Sequence, residues 1–100
     1  MATQKESLFS KRVRKRLDAI PYCWSMRCHG LLAGLPDLIG CVNGQFFALE
    51  LKTSAKAPRS KLQGYVIDKI QSAGGYARFV YPENEEETFK HLHDFVWRQK

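Results

Sequence analysis

The feature that most constrains the fold is a short segment that predicts a tight β-hairpin. Residues 37–42 and 45–52 both have strand-like sequences, and they flank the dipeptide formed by Asn43 and Gly44. Asn-Gly is a preferred sequence for a two-residue type I′ turn, and a loop of that length fixes which residues of the two strands face each other. Counting outward from the turn, we expect Asp37 to lie directly opposite Glu50.

Opposed carboxylates repel each other on a sheet, so this pair needs a positive partner. Lys52 follows Glu50 by two residues and therefore projects from the same face of its strand. Two carboxylates and one ammonium at one place suit a hard divalent cation such as Mg²⁺, which proteins hold through one or two carboxylates, water and substrate phosphates. The alternative is a plain salt bridge from Lys52 to one of the two acids.

The opposite face of the hairpin is apolar and is expected to form the core side. Its members are Leu38, Gly40 and Val42 on the first strand and Phe47, Leu49 and Leu51 on the second. Because a shift of one residue would move this whole set to the other face, the apolar pattern supports the same register as the turn.

Length and composition predict one small domain, spanning residues 1–100, with a single core. Hydrophobic residues make up 44% and charged residues 26%, as in ordinary soluble proteins. No segment approaches the roughly 20 apolar residues that cross a bilayer, and the first residues lack the apolar run of a signal peptide. We therefore expect a cytoplasmic protein. Three cysteines without Cys-x-x-Cys spacing argue against a disulfide framework and a zinc ribbon.

The remaining segments predict an α/β fold with the order α-β-β-β-α-β-α. The predicted elements besides the hairpin are a helix over 3–19, a strand over 22–28, a helix from Ser60 to the Gly74-Gly75 stop, a strand over 76–81 and a helix over 84–99. The apolar stripe predicted for the middle helix is Leu62, Val66, Ile70 and Ala73. A strand-helix-strand step favours parallel pairing of 76–81 with the strand of Glu50. The expected result is a mixed four-stranded sheet flanked by helices.

Two further polar side chains are candidates for the site. Glu6 forms a Thr-x-x-Glu capping box with Thr3, and helical periodicity also places it near the buried Val13. Capping and approach to the site both remain open for it. Gln63 lies in the first turn of the helix that Ser60 caps, and it is equally expected to close that capping box or to reach the site.

A formal net charge of +6 indicates an anionic partner, and nucleic acid is the commonest one. Basic residues crowd the first predicted helix and the segment after the hairpin, which predicts positive charge beside the carboxylates, where a phosphate backbone would lie. For the basic residues from Lys11 to Arg16 on the first helix, the alternative is that they only form a solvated helix face. For His29, the alternative is that it is an ordinary loop residue without a functional role. The candidate DNA contacts are Lys11, Arg12, Lys15, Arg27, His29, Lys56, Arg59, Ser60 and Lys61.

An ordered set of motifs carries a family resemblance. The set is Gly34-Leu35-Pro36-Asp37, then Glu50-Leu51-Lys52, then Ser60-x-x-Gln63, preceded by the predicted helical Glu6. It resembles the PD-(D/E)-x-K nuclease superfamily, and more narrowly the VRR-NUC branch, which is related to archaeal Holliday-junction resolvases and has small stand-alone members in phages. The resemblance covers about residues 6–81.

The resemblance implies a restriction-endonuclease-like core and a metal-dependent endonuclease that hydrolyses phosphodiester bonds in DNA. Asp37, Glu50 and the Leu51 carbonyl would hold Mg²⁺ or Mn²⁺, and Lys52 would position the attacking water or stabilise charge on the phosphate. Glu6 would correspond to the family's helical acid, a further ligand, and Gln63 to its supporting glutamine.

The resemblance also implies a homodimer and a branched DNA substrate, such as a Holliday junction or a flap. The competing class is a catalytically silent DNA-binding module that retains the nuclease fold. The helix over 84–99 lies beyond the resemblance and is expected to be a peripheral or dimer element.

Overall fold

The predicted hairpin is present and sets the register of the sheet. In the computed structural model, which describes residues 6–28 and 30–97, Asn43 and Gly44 have positive φ angles of 48° and 86°. Positive φ at both central residues is the requirement of a type I′ turn, and asparagine and glycine adopt it at low cost. Val42 pairs with Gln45, and Ile39 pairs with Ala48, as the turn predicts.

The described residues form three α-helices, four strands and one short 3₁₀ turn. In chain order they are α1 (Leu8–Asp18), β1 (Cys23–Arg27), β2 (Leu38–Val42), β3 (Gln45–Leu51), α2 (Lys61–Ser72), β4 (Tyr76–Val80), the 3₁₀ turn (Pro82–Asn84) and α3 (Glu85–Val96). The predicted order is therefore confirmed. None of these helices combines the length and the apolar character needed to span a membrane.

The four strands form one mixed sheet in the order β1-β2-β3-β4. The pairs β1-β2 and β2-β3 are antiparallel, whereas β4 runs parallel to β3. The parallel pair is joined by α2, because a parallel connection needs a crossover element. This topology confirms the predicted α/β class with a mixed four-stranded sheet.

The two faces of the sheet pack against different helices. The core face, on which Leu38, Val42, Phe47 and Leu49 lie, packs against apolar residues of α1 and α3. The α2 face carries Ala48 and Ala77, and Ile67 of α2 packs against these two small side chains. Because side chains alternate along a strand, Glu50 lies on the α2 face.

The first helix begins later than predicted. It starts at Leu8, and the Ser7 side chain caps it by accepting a hydrogen bond of 3.0 Å from the Ser10 backbone N–H. Glu6 therefore precedes the helix, and the prediction that it is helical is wrong. Thr3, the predicted cap, lies outside the described residues. Both Thr3 and Ser7 have side chains suited to capping, and the sequence pattern does not show which of them precedes the first turn of the helix.

The sheet-facing stripe of α2 also differs from the prediction. Ile67 is its buried residue and the predicted Ile70 packs partly buried against the same cluster, whereas Leu62 is 46% exposed. The helix is rotated so that Gln63 and Ile67 face the sheet, because Ala48 and Ala77 leave room there for Ile67. The glycine stop is confirmed: Gly74 has a φ of 95°, and the Gly75 N–H donates to the Ile70 carbonyl, as in a Schellman motif.

The last helix belongs to the core, so the prediction of a peripheral element is wrong. Phe89 and Leu92 of α3 are fully buried against the core face. The side chain of Asn84, the predicted cap, instead accepts a hydrogen bond from the Tyr81 backbone and donates one to the Phe79 carbonyl. The predicted end of this helix, at residue 99, lies outside the described residues.

Candidate active site

Two acidic side chains meet at the open end of the hairpin, as the sequence predicts. The backbone ladder ends with Leu38 opposite Leu49, and Asp37 and Glu50 are the next residues. The Asp37 backbone N–H donates to Glu50 Oε1 at 3.1 Å, and the Leu51 backbone N–H donates to Asp37 Oδ2 at 2.9 Å. Each carboxylate is therefore fixed by the strand that carries the other.

The ammonium of Lys52 completes this cluster. Lys52 Nζ lies 3.8 Å from Glu50 Oε2 and 2.9 Å from Gln63 Oε1. Glu50 is 6% exposed, so its charge is screened less by solvent than that of a surface carboxylate. We call Asp37, Glu50, Lys52 and Gln63 the hairpin-end cluster.

Gln63 performs both of the roles that the sequence left open. Its Oε1 accepts from the Ser60 backbone N–H at 3.1 Å while the Ser60 hydroxyl accepts from the Gln63 backbone N–H, which closes a capping box. Its Nε2 donates to Glu50 Oε2 at 2.9 Å. One amide therefore caps α2 and joins this helix to the carboxylate and the lysine.

Because α2 begins at this amide, its N-terminus lies next to the cluster. The first N–H groups of a helix carry partial positive charge, which favours anions such as carboxylates and phosphates. Lys61 is the first residue of α2 and is exposed, as is Lys56 in the preceding loop. This end of the molecule therefore combines fixed carboxylates with positive groups suited to a phosphate.

The oxygen donors of the cluster fit a hard divalent cation. Mg²⁺ is commonly bound by one or two carboxylates, with water and substrate phosphates completing its shell. Asp37 and Glu50 supply two carboxylates, and Leu51, whose N–H binds Asp37, carries the carbonyl proposed as a further ligand. Among residues 6–28 and 30–97, no three His, Cys, Asp or Glu side chains are grouped closely enough to hold a metal.

The structure does not bring Glu6 to these carboxylates. Its carboxylate binds Arg14 at 2.7 Å and the Ser10 hydroxyl at 2.8 Å, both on α1. Burial acts to raise the pKa of Glu6, but the hydrogen bonds from Arg14 and Ser10 and the charges of Arg14 and Arg27 outweigh burial and lower it. Glu6 is thus an ionised partner of Arg14, and its predicted role as a metal ligand is not supported.

The basic run of α1 is engaged elsewhere. Arg12 donates to both oxygens of Glu85, with a shortest distance of 2.6 Å, and Arg16 binds Glu85 and Glu86 at 2.9 and 2.7 Å. These contacts join α1 to α3. We call Arg12, Arg16, Glu85 and Glu86 the helix-bridging cluster.

The predicted position of the α1 charges therefore needs correction. Because α1 packs on the core face, Lys11, Arg12 and Lys15 lie in the layer opposite α2, not beside the carboxylates. Lys11 and Lys15 are exposed, whereas Arg12 already holds a carboxylate. The sequence could not show this pairing, since Arg12 and Glu85 are 73 residues apart.

Two more of the predicted DNA contacts lie at the end of an element near the open end of the hairpin. Arg27 ends β1 and is partly buried, and Ser60 caps α2. His29 lies outside the described residues. Arg59 has a feature that the sequence analysis missed: its guanidinium carbon lies 4.3 Å from the centre of the Phe79 ring. The alternation of Phe79 and Tyr81 was the available signal, because it places both rings on the face that carries Glu50.

Comparison with known proteins gives no match: no family model, no curated protein and no solved structure is similar to this chain. The functional interpretation therefore depends on the residues and their geometry.

Proposed function

We propose that this protein is a metal-dependent, structure-specific DNA endonuclease of the VRR-NUC branch, with a PD-(D/E)-x-K, restriction-endonuclease-like core. The proposed reaction is hydrolysis of a phosphodiester bond in branched DNA such as a Holliday junction or a flap. The observation that carries the proposal is the convergence of Asp37, Glu50 and Lys52 at the open end of one hairpin.

In this mechanism Asp37, Glu50 and the Leu51 carbonyl hold Mg²⁺ or Mn²⁺. When bound, such an ion supplies Lewis-acid activation of water and neutralises charge on the phosphate. The protein's task is to keep the two carboxylates oriented. The backbone N–H groups of residues 37 and 51 do this, since each donates a hydrogen bond to one of the carboxylates.

Lys52 stabilises the negative charge that grows on the phosphate oxygens during the displacement. Gln63 holds its ammonium at 2.9 Å, so little reorganisation is needed as that charge develops. The same amide donates to Glu50, which couples the position of the lysine to that of the carboxylate. Lys56, Lys61 and the N-terminus of α2 attract the DNA backbone to this end of the sheet.

The proposal is tested by incubating the purified protein with a four-way DNA junction and a linear duplex in the presence of Mg²⁺ or Mn²⁺. We expect cleavage products that EDTA suppresses and that Asp37→Asn loses. Asp94→Asn, which removes an exposed acid on α3, is the matched control and should cleave normally. Cleavage by Asp37→Asn at the wild-type rate would contradict the proposal, and tight binding without cleavage by the wild-type protein would favour the binding module.

A homodimer is part of the same proposal. Three leucines in or next to the loop that leads to Asp37 support it, because large exposed apolar side chains often mark protein interfaces. Leu31 is 61% exposed, Leu32 is 73% exposed, and Leu62 of α2 lies against Gly34 of this loop. We expect light scattering to give the mass of a dimer and Leu32→Asp to shift it toward the monomer. A monomeric wild-type protein at micromolar concentration would remove this part of the proposal.

A further inference from the structure

Arg59 is held by aromatic rings instead of by a carboxylate. Among the residues that the structure describes, Arg12, Arg14, Arg16 and Arg78 each bind a glutamate, whereas the side chains of Arg27 and Arg59 take part in no ion pair or hydrogen bond, and of these two it is Arg59 that lies over aromatic rings. Its guanidinium carbon lies 4.3 Å from the centre of the Phe79 ring and 5.8 Å from that of Tyr81. A ring face attracts a guanidinium without accepting its N–H hydrogen bonds as a carboxylate does, so these N–H groups stay available to an anion.

The same ring connects Arg59 to the hairpin-end cluster. Phe79 pairs with Glu50 across the parallel strands, and Lys52 Nζ lies 5.9 Å from the centre of the Phe79 ring. The two cationic groups therefore cannot be farther apart than the sum of their distances to this ring. A DNA strand carries one phosphate about every 3.4 Å along the helix axis, so such a span reaches only the few phosphates nearest the lysine.

Arg59 also borders an open cavity. A space of about 290 Å³ lies between α2 and β4, and Arg59, Gln71, Phe79 and Tyr81 are among its lining residues. The exposed Asp68 and the partly buried Arg78 line the same cavity, and Arg78 is paired with Glu87 at 3.1 Å. Arg59 is exposed and has no such carboxylate partner among the described residues, so a phosphate is expected on its guanidinium.

We propose that Arg59 forms a phosphate-binding subsite that positions the DNA strand, with Phe79 as its rigid support. The phosphate bound there flanks the bond presented to Asp37, Glu50 and Lys52. Arginine is suited to this role because its planar fork binds phosphate with two N–H groups, and the stacked side chain has lost part of its conformational freedom before DNA arrives. This inference rests on the proposed nuclease function and assigns Arg59 a positioning role, not a catalytic one.

The test measures binding of a labelled four-way DNA junction over a range of salt concentrations, in the non-cleaving Asp37→Asn protein. Arg59→Ala is expected to lower the affinity about 10-fold, as the loss of a charge-assisted hydrogen bond does, and to reduce the salt slope by about 1. Arg59→Lys keeps the charge but not the fork and should recover only part of the affinity. Lys90→Ala is the matched control, since it removes one exposed charge from α3 on the core-face side and should change affinity less than about 2-fold.

A second variant tests whether the Phe79 ring supports the Arg59 guanidinium. Phe79→Leu keeps the guanidinium but removes the ring, so we expect it to lose most of the DNA affinity that Arg59→Ala loses. A melting curve should show that this variant is folded. In the cleaving protein, Arg59→Ala should raise KM more than it lowers kcat, because positioning acts on binding.

Equal effects of Arg59→Ala and Lys90→Ala, or wild-type affinity in folded Phe79→Leu, would overturn the subsite. The nuclease proposal can fail independently of the subsite. If the wild-type protein never cleaves DNA but Arg59→Ala selectively lowers DNA affinity, catalysis is refuted and the subsite is retained.

Discussion

The hairpin-end cluster and the helix-bridging cluster each surround a glutamate of equal burial but bind it differently. Glu50 and Glu85 are both 6% exposed. Glu85 is held by two guanidinium groups, from Arg12 at 2.6 Å and from Arg16 at 2.9 Å. Glu50 accepts hydrogen bonds from the Asp37 backbone and the Gln63 amide, and the ammonium of Lys52 is farther away, at 3.8 Å.

This difference separates a structural carboxylate from one suited to chemistry. Close guanidinium groups neutralise Glu85 where it lies, and removing either partner of such a pair leaves a buried charge uncompensated. At Glu50, the N–H donors of the Asp37 backbone and the Gln63 amide orient the carboxylate, and the ammonium of Lys52 lies 3.8 Å away, farther than either guanidinium lies from Glu85. A carboxylate of the second kind can attract a cation, whereas one of the first kind holds two helices together.

The largest expected effect comes from removing charge in the hairpin-end cluster. Asp37→Asn and Glu50→Gln keep the size and most hydrogen bonds of the side chains but remove their charge. We expect cleavage to fall by roughly 10³-fold or more, in the range known for loss of a principal electrostatic group. We expect the melting temperature to stay equal or to rise, because opposed carboxylates repel. A large fall in stability would show that Glu50 serves the fold, as Glu85 does.

The same change in the helix-bridging cluster should have the reverse result. Glu85→Gln leaves Arg12 and Arg16 without their ionic acceptor, so we expect the free energy of unfolding to fall by roughly 1–3 kcal/mol. The Arg12 side chain is 51% exposed, and solvent screening favours the lower end of this range. Denaturant unfolding measures this loss, and cleavage below the melting temperature should be unchanged. A folded Glu85→Gln protein that had lost activity would contradict the comparison.

Acid titration provides a control for the Glu85 prediction. The hydrogen bond from Arg12, followed by that from Arg16, holds the pKa of Glu85 below its usual value of 4.5. A lowered folded-state pKa contributes stability that is present above the unfolded pKa and is lost as the pH falls through the folded one. The stability difference between the wild-type protein and Glu85→Gln should therefore be constant near neutral pH and shrink only below about pH 4.5. A difference that disappears near neutral pH would have another cause.

The hairpin-end cluster was predictable from sequence because its determinants are local. A two-residue loop fixed the register, and alternation then assigned Glu50 and Lys52 to one face. For Gln63 the sequence predicted two alternatives, capping of α2 or contact with the site, and did not decide between them. Its capping role is local, whereas its contact with Glu50 depends on how α2 lies on the sheet.

The helix-bridging cluster was not predictable from sequence, because its pairs are distant. The basic run of α1 and the acidic start of α3 were both visible in the sequence, but their pairing depends on two helices that pack on the same face of the sheet. Arg12 was accordingly assigned to DNA although it binds Glu85. The predicted start of α1 was wrong for another reason: Thr3 and Ser7 both have capping chemistry, and the helix begins after Ser7.

A smaller effect separates the two roles of Gln63. Ser60→Ala removes the hydroxyl that caps α2 and should lower stability by about 1 kcal/mol with nearly normal cleavage. Gln63→Ala should cost a similar amount of stability and also slow cleavage about 10-fold, because Lys52 loses its acceptor and Glu50 loses a donor. Thermal melting and single-turnover kinetics measure the two quantities. Equal kinetics in the two variants would reduce Gln63 to a capping residue.

The smallest expected effect concerns exposed lysines in the two layers. Lys61 begins α2 beside the hairpin-end cluster, whereas Lys15 lies on α1 near the helix-bridging cluster. Each substitution to alanine removes one charge, and we expect Lys61→Ala to weaken DNA binding about 2- to 5-fold and Lys15→Ala less than about 2-fold at the same salt concentration. Fluorescence anisotropy with a labelled duplex measures both. If the two lysines had equal effects, the DNA would contact both layers of the molecule. The α2 layer beside the carboxylates would then not be the preferred DNA-binding side.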